Sequence, residues 1–353
     1  MSHYRFEFRP YQRRFRQPLQ TSHGRWEIRE GIIICLTDDN GRIGWGEIAP
    51  LPWFGSESLE EALDFCHLLG DEITTKTIFS IPKNLRACQF GFESAWEGFE
   101  PQINTDEHRC SEQNKLSYSS LLPAGESALQ LWETLWNQGY RTFKWKIGVA
   151  AIEAEIKVFN QLIEALPTGG KLRLDANGGL NWEEAKEWLR VCDRASIYPP
   201  VRAEHLDRKS ELSSINCPPN ASPLPQVEFI EQPLPVDQFN ALLELSTQHS
   251  TPIALDESVA TLDQMEAFYV QGWRGIFVIK PCIAGSPRHL RQFCQTHKID
   301  AVFSSVFETA IGRQAALRLA AELSQHNRAV GFGVNHWFSE DNKNWPDSLW
   351  KNH

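Results

Sequence analysis

Phe143-Lys144-Trp145-Lys146-Ile147-Gly148, Leu172-Arg173-Leu174-Asp175-Ala176-Asn177, Val227-Glu228-Phe229-Ile230-Glu231-Gln232-Pro233, Ile253-Ala254-Leu255-Asp256-Glu257-Ser258 and Phe277-Val278-Ile279-Lys280-Pro281 are five short apolar runs that each close on ionisable residues. With Leu116 to Leu121 ahead of them and Ala301 to Ser305 behind, they make seven candidate strands: 116–121, 142–147, 171–176, 227–231, 253–256, 275–280 and 301–305. Most are trailed by an amphipathic stretch of helical length, and this alternation is the signature of repeated βα units around a parallel sheet. Glu231 and Asp256 stand 25 residues apart and Asp256 and Lys280 stand 24 apart, enough in each case for a strand, a helix and two short loops. Seven such units in series predict a closed barrel. An open doubly wound sheet is the alternative, but no glycine-rich phosphate loop follows any of the strands. The longer gap from Asp175 to Glu231 contains Ser196 to Gln226, rich in Pro, Ser and Asn and without periodicity, which reads as an inserted loop.

The strands of a parallel barrel all point the same way, so residues at their carboxyl ends gather on the face where barrel enzymes carry their active sites. A lone strand-end aspartate is more often a helix N-cap or a surface charge. Three carboxylates, Asp175, Glu231 and Asp256, ending successive strands between lysine-bearing strands favour a functional reading instead. At about 4 Å and an effective dielectric near 20, each pair of carboxylates repels by roughly 4 kcal/mol. Three such pairs rival the stability of a domain, about 5 to 15 kcal/mol. A divalent cation or protonation is therefore needed, and an all-oxygen donor set selects a hard ion such as Mg2+, with Mn2+ a possible substitute.

Lys144 and Lys146 are two residues apart, so on a strand they share a face while Trp145 points away from it. Exposed edge strands also carry lysines to resist aggregation, but a barrel strand has no edge. Two neighbouring ammonium groups near a cation lower one another's pKa, which makes one of them a credible general base. Arg173 shares the face of Asp175 and is read as holding that carboxylate or a substrate oxygen, or equally as a plain ion pair.

Residues 1 to about 110 have a different texture. Tyr4 to Phe8 alternates. Gly31 to Leu36 and Arg42 to Glu47 flank Asp38-Asp39-Asn40-Gly41, where Asn-Gly marks a tight hairpin. Helical patterns follow at Leu59 to Leu69, with Ser58 as N-cap, and at Leu85 to Phe99. The expected organisation is an α+β capping domain over residues 1–110, completed by the tail from about 325 to 353, and a barrel over 111–324.

The 353 residues are 41% hydrophobic and 23% charged with a formal net charge of −10, which provides no basic surface for nucleic acid. No run approaches the length of a membrane span, and the first residues show no apolar targeting segment, so a cytoplasmic enzyme is expected. The eight cysteines include no CxxC pair and read as reduced, mostly buried thiols. The expected partner is a small carboxylate substrate, with the protein a monomer or homo-oligomer.

The set KxK (Lys144 and Lys146), Asp175 in DAN, Glu231 in EQP, Asp256 in DES and Lys280 in IKP resembles the muconate lactonising subgroup of the enolase superfamily across the whole barrel region. The segment Gly44 to Gly55, GWGEIAPLPWFG, is similar to that family's cap. The resemblance implies a (β/α)7β TIM-like barrel with an α+β cap, with Arg13 to Arg25 closing over the substrate. It further implies Asp175, Glu231 and Asp256 as Mg2+ ligands, Lys146 as the base and Lys280 opposite it. Ser304, Ser305 and Glu308 look like the SSxxE by which one group of the subgroup binds its substrate. The enzymes of that group are hydro-lyases that dehydrate 2-succinyl-6-hydroxy-2,4-cyclohexadiene-1-carboxylate for menaquinone or phylloquinone synthesis. A strand end followed by an N-cap is the plainer reading of Ser304 to Glu308. Dipeptide epimerases and N-acylamino acid racemases of the same superfamily are the alternative activity, although the acidic DxD of the epimerases is not apparent. A non-catalytic barrel scaffold is a third reading, against which the intact ligand set and both lysines argue.

Overall fold

The computed structural model describes residues 2–21, 24–99, 116–197, 226–334, 337–338 and 350. It divides into two compact units, one formed by Met1–Tyr118 with Leu255–His353 and the other by Ser119–Ala254.

The first unit contains an antiparallel sheet of four strands, β1 (His3–Thr21), β2 (Gly24–Asp38), β3 (Ile43–Ile48) and β4 (Glu72–Thr74), in the order β3-β2-β1-β4. The Asp38 to Gly41 hairpin lies where the sequence puts it: Asp38 accepts from the amides of Asn40 and Arg42, and Gly41 takes φ +77°. Of the segment Arg13 to Arg25, the described residues form the ends of β1 and β2, which pair from Tyr4 with Asp38 to Thr21 with Gly24. The ladder slips between Arg14 and Leu19, the stretch that contains Pro18, and proline has no amide to contribute to a ladder.

The helix Leu59–Leu68 opens with Ser58 in a capping box with Glu61, as its sequence indicates. The helix Arg86–Glu97 lies against β3 at a distance that only glycine permits. A Cβ on Gly44 would collide with the carbonyl oxygen of Ala95, and one on Gly46 with that of Gly91. Because the obstruction is backbone rather than a flexible side chain, Gly46→Ala is expected to cost about 3 kcal/mol, the upper end of ordinary overpacking. Urea denaturation would measure this as a lower midpoint at unchanged slope.

The same unit contains the parallel pair β10 (Ile276–Ile279) and β11 (Ala301–Phe303), in register from Phe277 with Ala301 to Ile279 with Phe303. It also includes the final helix Ala310–Leu323. Segments beyond that helix return to it: Val330 bridges to Tyr118, Gly331 to Ser304 and Phe338 to Phe15.

In the second unit β5 (Ser119–Leu122), β6 (Thr142–Lys146), β7 (Lys171–Asp175) and β8 (Gln226–Glu231) pair in parallel, each with the next. β9 (Ile253–Leu255) adds through Ile230 with Ile253 and Glu231 with Ala254, while its last residue belongs to the first unit. All seven strands read from the sequence are present, with ends that coincide or shift by at most three residues. Trp145 is fully buried against Trp188, 6.4 Å between rings, so the two lysines of KxK do share the opposite face of β6. The expected insert loses its ends to regular structure: Ser196 lies in the helix Trp182–Ile197 and Gln226 begins β8. The remainder, 198–225, lies outside the described residues.

Candidate active site

In the second unit the parallel register aligns the strand ends, pairing Lys144 with Arg173, Lys146 with Asp175, and Asp175 with Glu231. The Lys144 ammonium is 2.7 Å from an Asp175 carboxylate oxygen and 2.8 Å from one of Glu231. All three residues are substantially buried, Glu231 almost entirely. Two desolvated carboxylates thus face one ammonium. Lys146, half-buried and next along the same face, has no such ion pair among the described residues. The two lysines are thus already distinguished by their partners.

The backbone beyond these strand ends is held in place by further bonds. Asp175 also accepts from the Asn177 amide at 3.1 Å, and Asn177 and Gln232 both take positive φ, 45° and 38°. The Gly178 amide donates to the Gln232 carbonyl, and the Gln232 amide to that of Ala254. After β6, the Glu155 carboxylate accepts from the amides of Gly148, Val149 and Ala150, which fixes the loop following Lys146. Arg173 is 2% exposed and donates to Glu228 at 2.7 Å, with its guanidinium 4.9 Å from the Phe229 ring. The ion pair it forms is with Glu228 rather than with Asp175.

In the first unit Asp256 and Lys280 are both buried and paired directly with each other. The Lys280 ammonium also lies 4.2 Å from the centroid of Phe54, on the short turn Pro52–Phe54 of the GWGEIAPLPWFG segment, a favourable cation–π distance. Among the described residues no group of three or more His, Cys, Asp and Glu side chains is gathered to hold a metal ion. Each carboxylate implied as a ligand is instead drawn onto a lysine. The donor chemistry nonetheless fits a hard cation: Asp175 and Glu231 are buried oxygen donors whose joint charge Lys144 alone does not neutralise.

Ser305 and Glu308 are also brought together. The Ser305 hydroxyl donates to the Glu308 carboxylate at 2.8 to 2.9 Å and accepts from the Phe307 amide, while the Val306 amide donates to Glu308. Burial, and then the nearby charge of Glu47, raise the Glu308 carboxyl above its usual pKa, against the lowering effect of its backbone bonds. Thr309 is the N-cap of the helix that follows. Ser304 is half-buried, and no hydrogen bond engages its hydroxyl among the described residues.

Three residues that sequence reasoning passed over hold this turn. Glu47, fully buried on β3, accepts from the Tyr11 hydroxyl, from the amide and hydroxyl of Thr309, and from the Gly312 amide at 2.9 Å. Arg29, 2% exposed on β2, donates to the carbonyls of Val306 and Pro50, both at 2.9 Å. Burial, then the Glu47 charge, push the Tyr11 hydroxyl well above its usual pKa. A charged residue inside the apolar strand Ile43 to Ile48 was the available signal. No signal in the sequence indicated what Glu47 would touch.

The chain matches the family model described as Enolase C-terminal domain-like over residues 127–218 and 220–348, and the MenC N-terminal domain over residues 8–97. It is 37% identical over 339 residues to an o-succinylbenzoate synthase of Thermosynechococcus vestitus, covering 95% of this chain and 94% of that protein. It is 23% identical to the L-Ala-D/L-Glu epimerase of Bacillus subtilis, covering 86% of this chain and 81% of that one. Among solved structures, the o-succinylbenzoate synthase of Thermosynechococcus elongatus BP-1, with magnesium in its active site, superposes with a TM-score of 0.81 at 35% identity, covering 99% of this chain and all of that one. The fold class is accordingly that of the sequence reading, a TIM-like barrel with a capping domain.

Proposed function

We infer the function from one premise: the chain belongs to the enolase C-terminal domain-like family. Its activity is that of an o-succinylbenzoate synthase, a lyase that dehydrates 2-succinyl-6-hydroxy-2,4-cyclohexadiene-1-carboxylate in the route to menaquinone or phylloquinone. The epimerases, at 23% identity or less, are more distant relatives. No helix among the described residues is long and apolar enough to cross a membrane.

The observation that carries the assignment of roles is the asymmetry of the KxK lysines. Lys144 is committed as a cation between Asp175 and Glu231, whereas Lys146, on the same face of β6, is not tied to a carboxylate among the described residues. A general base must reach a lone-pair state at working pH, and an ammonium shared by two buried carboxylates is held charged. Lys146 therefore takes the proton alpha to the substrate carboxylate and returns it to the departing hydroxyl, leaving o-succinylbenzoate and water. Lys280, paired with Asp256 and faced by Phe54, steadies the developing negative charge. Asp175, Glu231 and Asp256 would hold Mg2+, and Mn2+, which accepts the same oxygen donors, would substitute for it. When bound, the ion supplies positive charge for the enolate that forms as the proton leaves.

Ser304 meets the succinyl end of the substrate through its uncommitted hydroxyl, and Ser305 and Glu308 shape the turn that presents it. Arg173, the register partner of Lys144 on β7, acts through its buried charge pair with Glu228. Residues 1–110 and about 325–353 form the cap, 111–324 the barrel, and the protein resides in the cytoplasm.

The deciding assay follows the cyclohexadiene substrate with purified protein and Mg2+, alongside deuterium exchange of N-acylamino acids and dipeptides in D2O. Dehydration is expected to exceed any racemisation by at least about a hundredfold, the discrimination that one well-placed polar contact set provides. Racemisation outrunning dehydration would replace this reading with the racemase one.

A further inference from the structure

We propose that Glu47, a buried residue of the amino-terminal sheet, is a positioning residue for substrate recognition: through Thr309 and Gly312 it sets the Ser304–Glu308 turn that meets the succinyl chain. The inference rests on the function proposed above, because it takes the turn to be the succinyl contact.

Glu47 is fully buried, and its carboxylate is turned toward the start of one helix. It receives the amide and hydroxyl of Thr309 and the amide of Gly312, the first donors of the helix Ala310–Leu323. Amides of a helix's first turn have no partner within the helix, and a carboxylate is favoured at that end. Here the carboxylate comes from a residue 262 positions earlier in the chain, so a side chain of the first sheet fixes where this helix begins. The chain entering that helix is the Ser304–Glu308 turn.

The turn would not hold its shape unaided. Phe307 takes φ +62°, a left-handed conformation unusual for an aromatic residue. Such strain persists only where the surroundings over-determine it. The surroundings do so on three sides. Arg29 holds the Val306 carbonyl, Glu47 holds Thr309, and the Phe307 ring packs edge-on to Phe15 and Trp26 at 5.4 and 5.5 Å. There is little room for adjustment. A Cβ on Gly312 would lie 2.8 Å from a Glu47 oxygen, and one on Gly31 would lie 2.6 Å from the Tyr11 hydroxyl that donates to Glu47. β1, β2 and β3 thus contribute Tyr11, Arg29 and Glu47 to one buried polar clamp, and β11 presents the turn that the clamp grips.

The bonds of Glu47 go to Tyr11 and the start of the helix rather than to a lysine, so its removal should weaken substrate holding rather than proton transfer. Glu47→Gln keeps the size of the side chain but turns one acceptor into a donor facing donors. It is expected to raise KM for the cyclohexadiene substrate about tenfold while kcat stays within about threefold, the pattern seen when an interaction made equally in the ground and transition states is removed. Hydrogen exchange of the amides from 305 to 312, read by mass spectrometry, should accelerate in the same variant. Tyr11→Phe, which removes a single bond to Glu47, should show both effects in smaller measure and serves if Glu47→Gln does not fold. An unchanged KM in a folded variant, or a fall in kcat alone, overturns the proposal. If the wild-type protein itself fails to dehydrate the substrate, the functional reading fails instead. In that case the exchange measurement still decides whether Glu47 holds the turn, and unchanged exchange overturns that as well.

Discussion

Lys146→Arg is expected to lower turnover of the cyclohexadiene substrate by about a thousandfold, within the range of roughly 10² to 10⁴ that a positioned general base contributes. A guanidinium keeps the positive charge and much of the length but does not give up its proton at working pH. Electrostatic help from the side chain would therefore survive, and only proton transfer would be lost. Lys280→Arg provides the contrast. If Lys280 contributes charge, arginine should replace it in part, and the loss should be the smaller of the two. Alpha-proton exchange in D2O, measured for each variant with folding checked by circular dichroism, separates the roles. Near wild-type exchange in Lys146→Arg would remove Lys146 as the base. Equal and total loss in both variants would indicate two proton carriers, the requirement of a racemase.

Chelation of divalent ions should abolish turnover, and Asp175→Asn should lower it by at least about a hundredfold even with Mg2+ in excess, the scale of losing one preorganised group that stabilises developing charge. Asp175 faces Lys144 at 2.7 Å, and Glu231 faces it at 2.8 Å. Replacing Asp175 by the isosteric amide leaves one carboxylate on Lys144, so the pair is balanced and the fold should hold. What is lost is the surplus negative charge that attracts a divalent cation. Calorimetric titration with Mg2+ should show binding to the wild-type chain and none to the variant. Mn2+ added after chelation should restore turnover, because it takes the same oxygen donors. Full activity after chelation, or unchanged Mg2+ binding in Asp175→Asn, would dispose of the hard-ion site.

Much of this was legible in the sequence. Strand positions followed from short apolar runs, and their direction from the regular spacing of charged residues at the ends. The lysines of KxK were placed on one face by the two-residue period of a strand, and buried Trp145 on the other bears this out. The hairpin at Asn40-Gly41 and the capping box at Ser58 are local chemistry, and local chemistry is written in consecutive residues. The pairing of Arg13 to Thr21 with β2 could not be read from that segment alone, because it depends on a partner strand rather than on its own period.

Which residues are candidates, and which strand end carries each, could be read from the chain alone, because the alternation of a strand and the polarity of a parallel sheet are properties of its own repeat. How those candidates are committed came only with the folded arrangement: Lys144 to two carboxylates, Arg173 to Glu228, Ser305 to Glu308, and Glu47 to the first turn of a helix 262 residues away. Each of these is a pairing of buried charge or hydrogen-bonding groups, whose strength depends on distance and desolvation. Separation along the chain carries no information about either quantity.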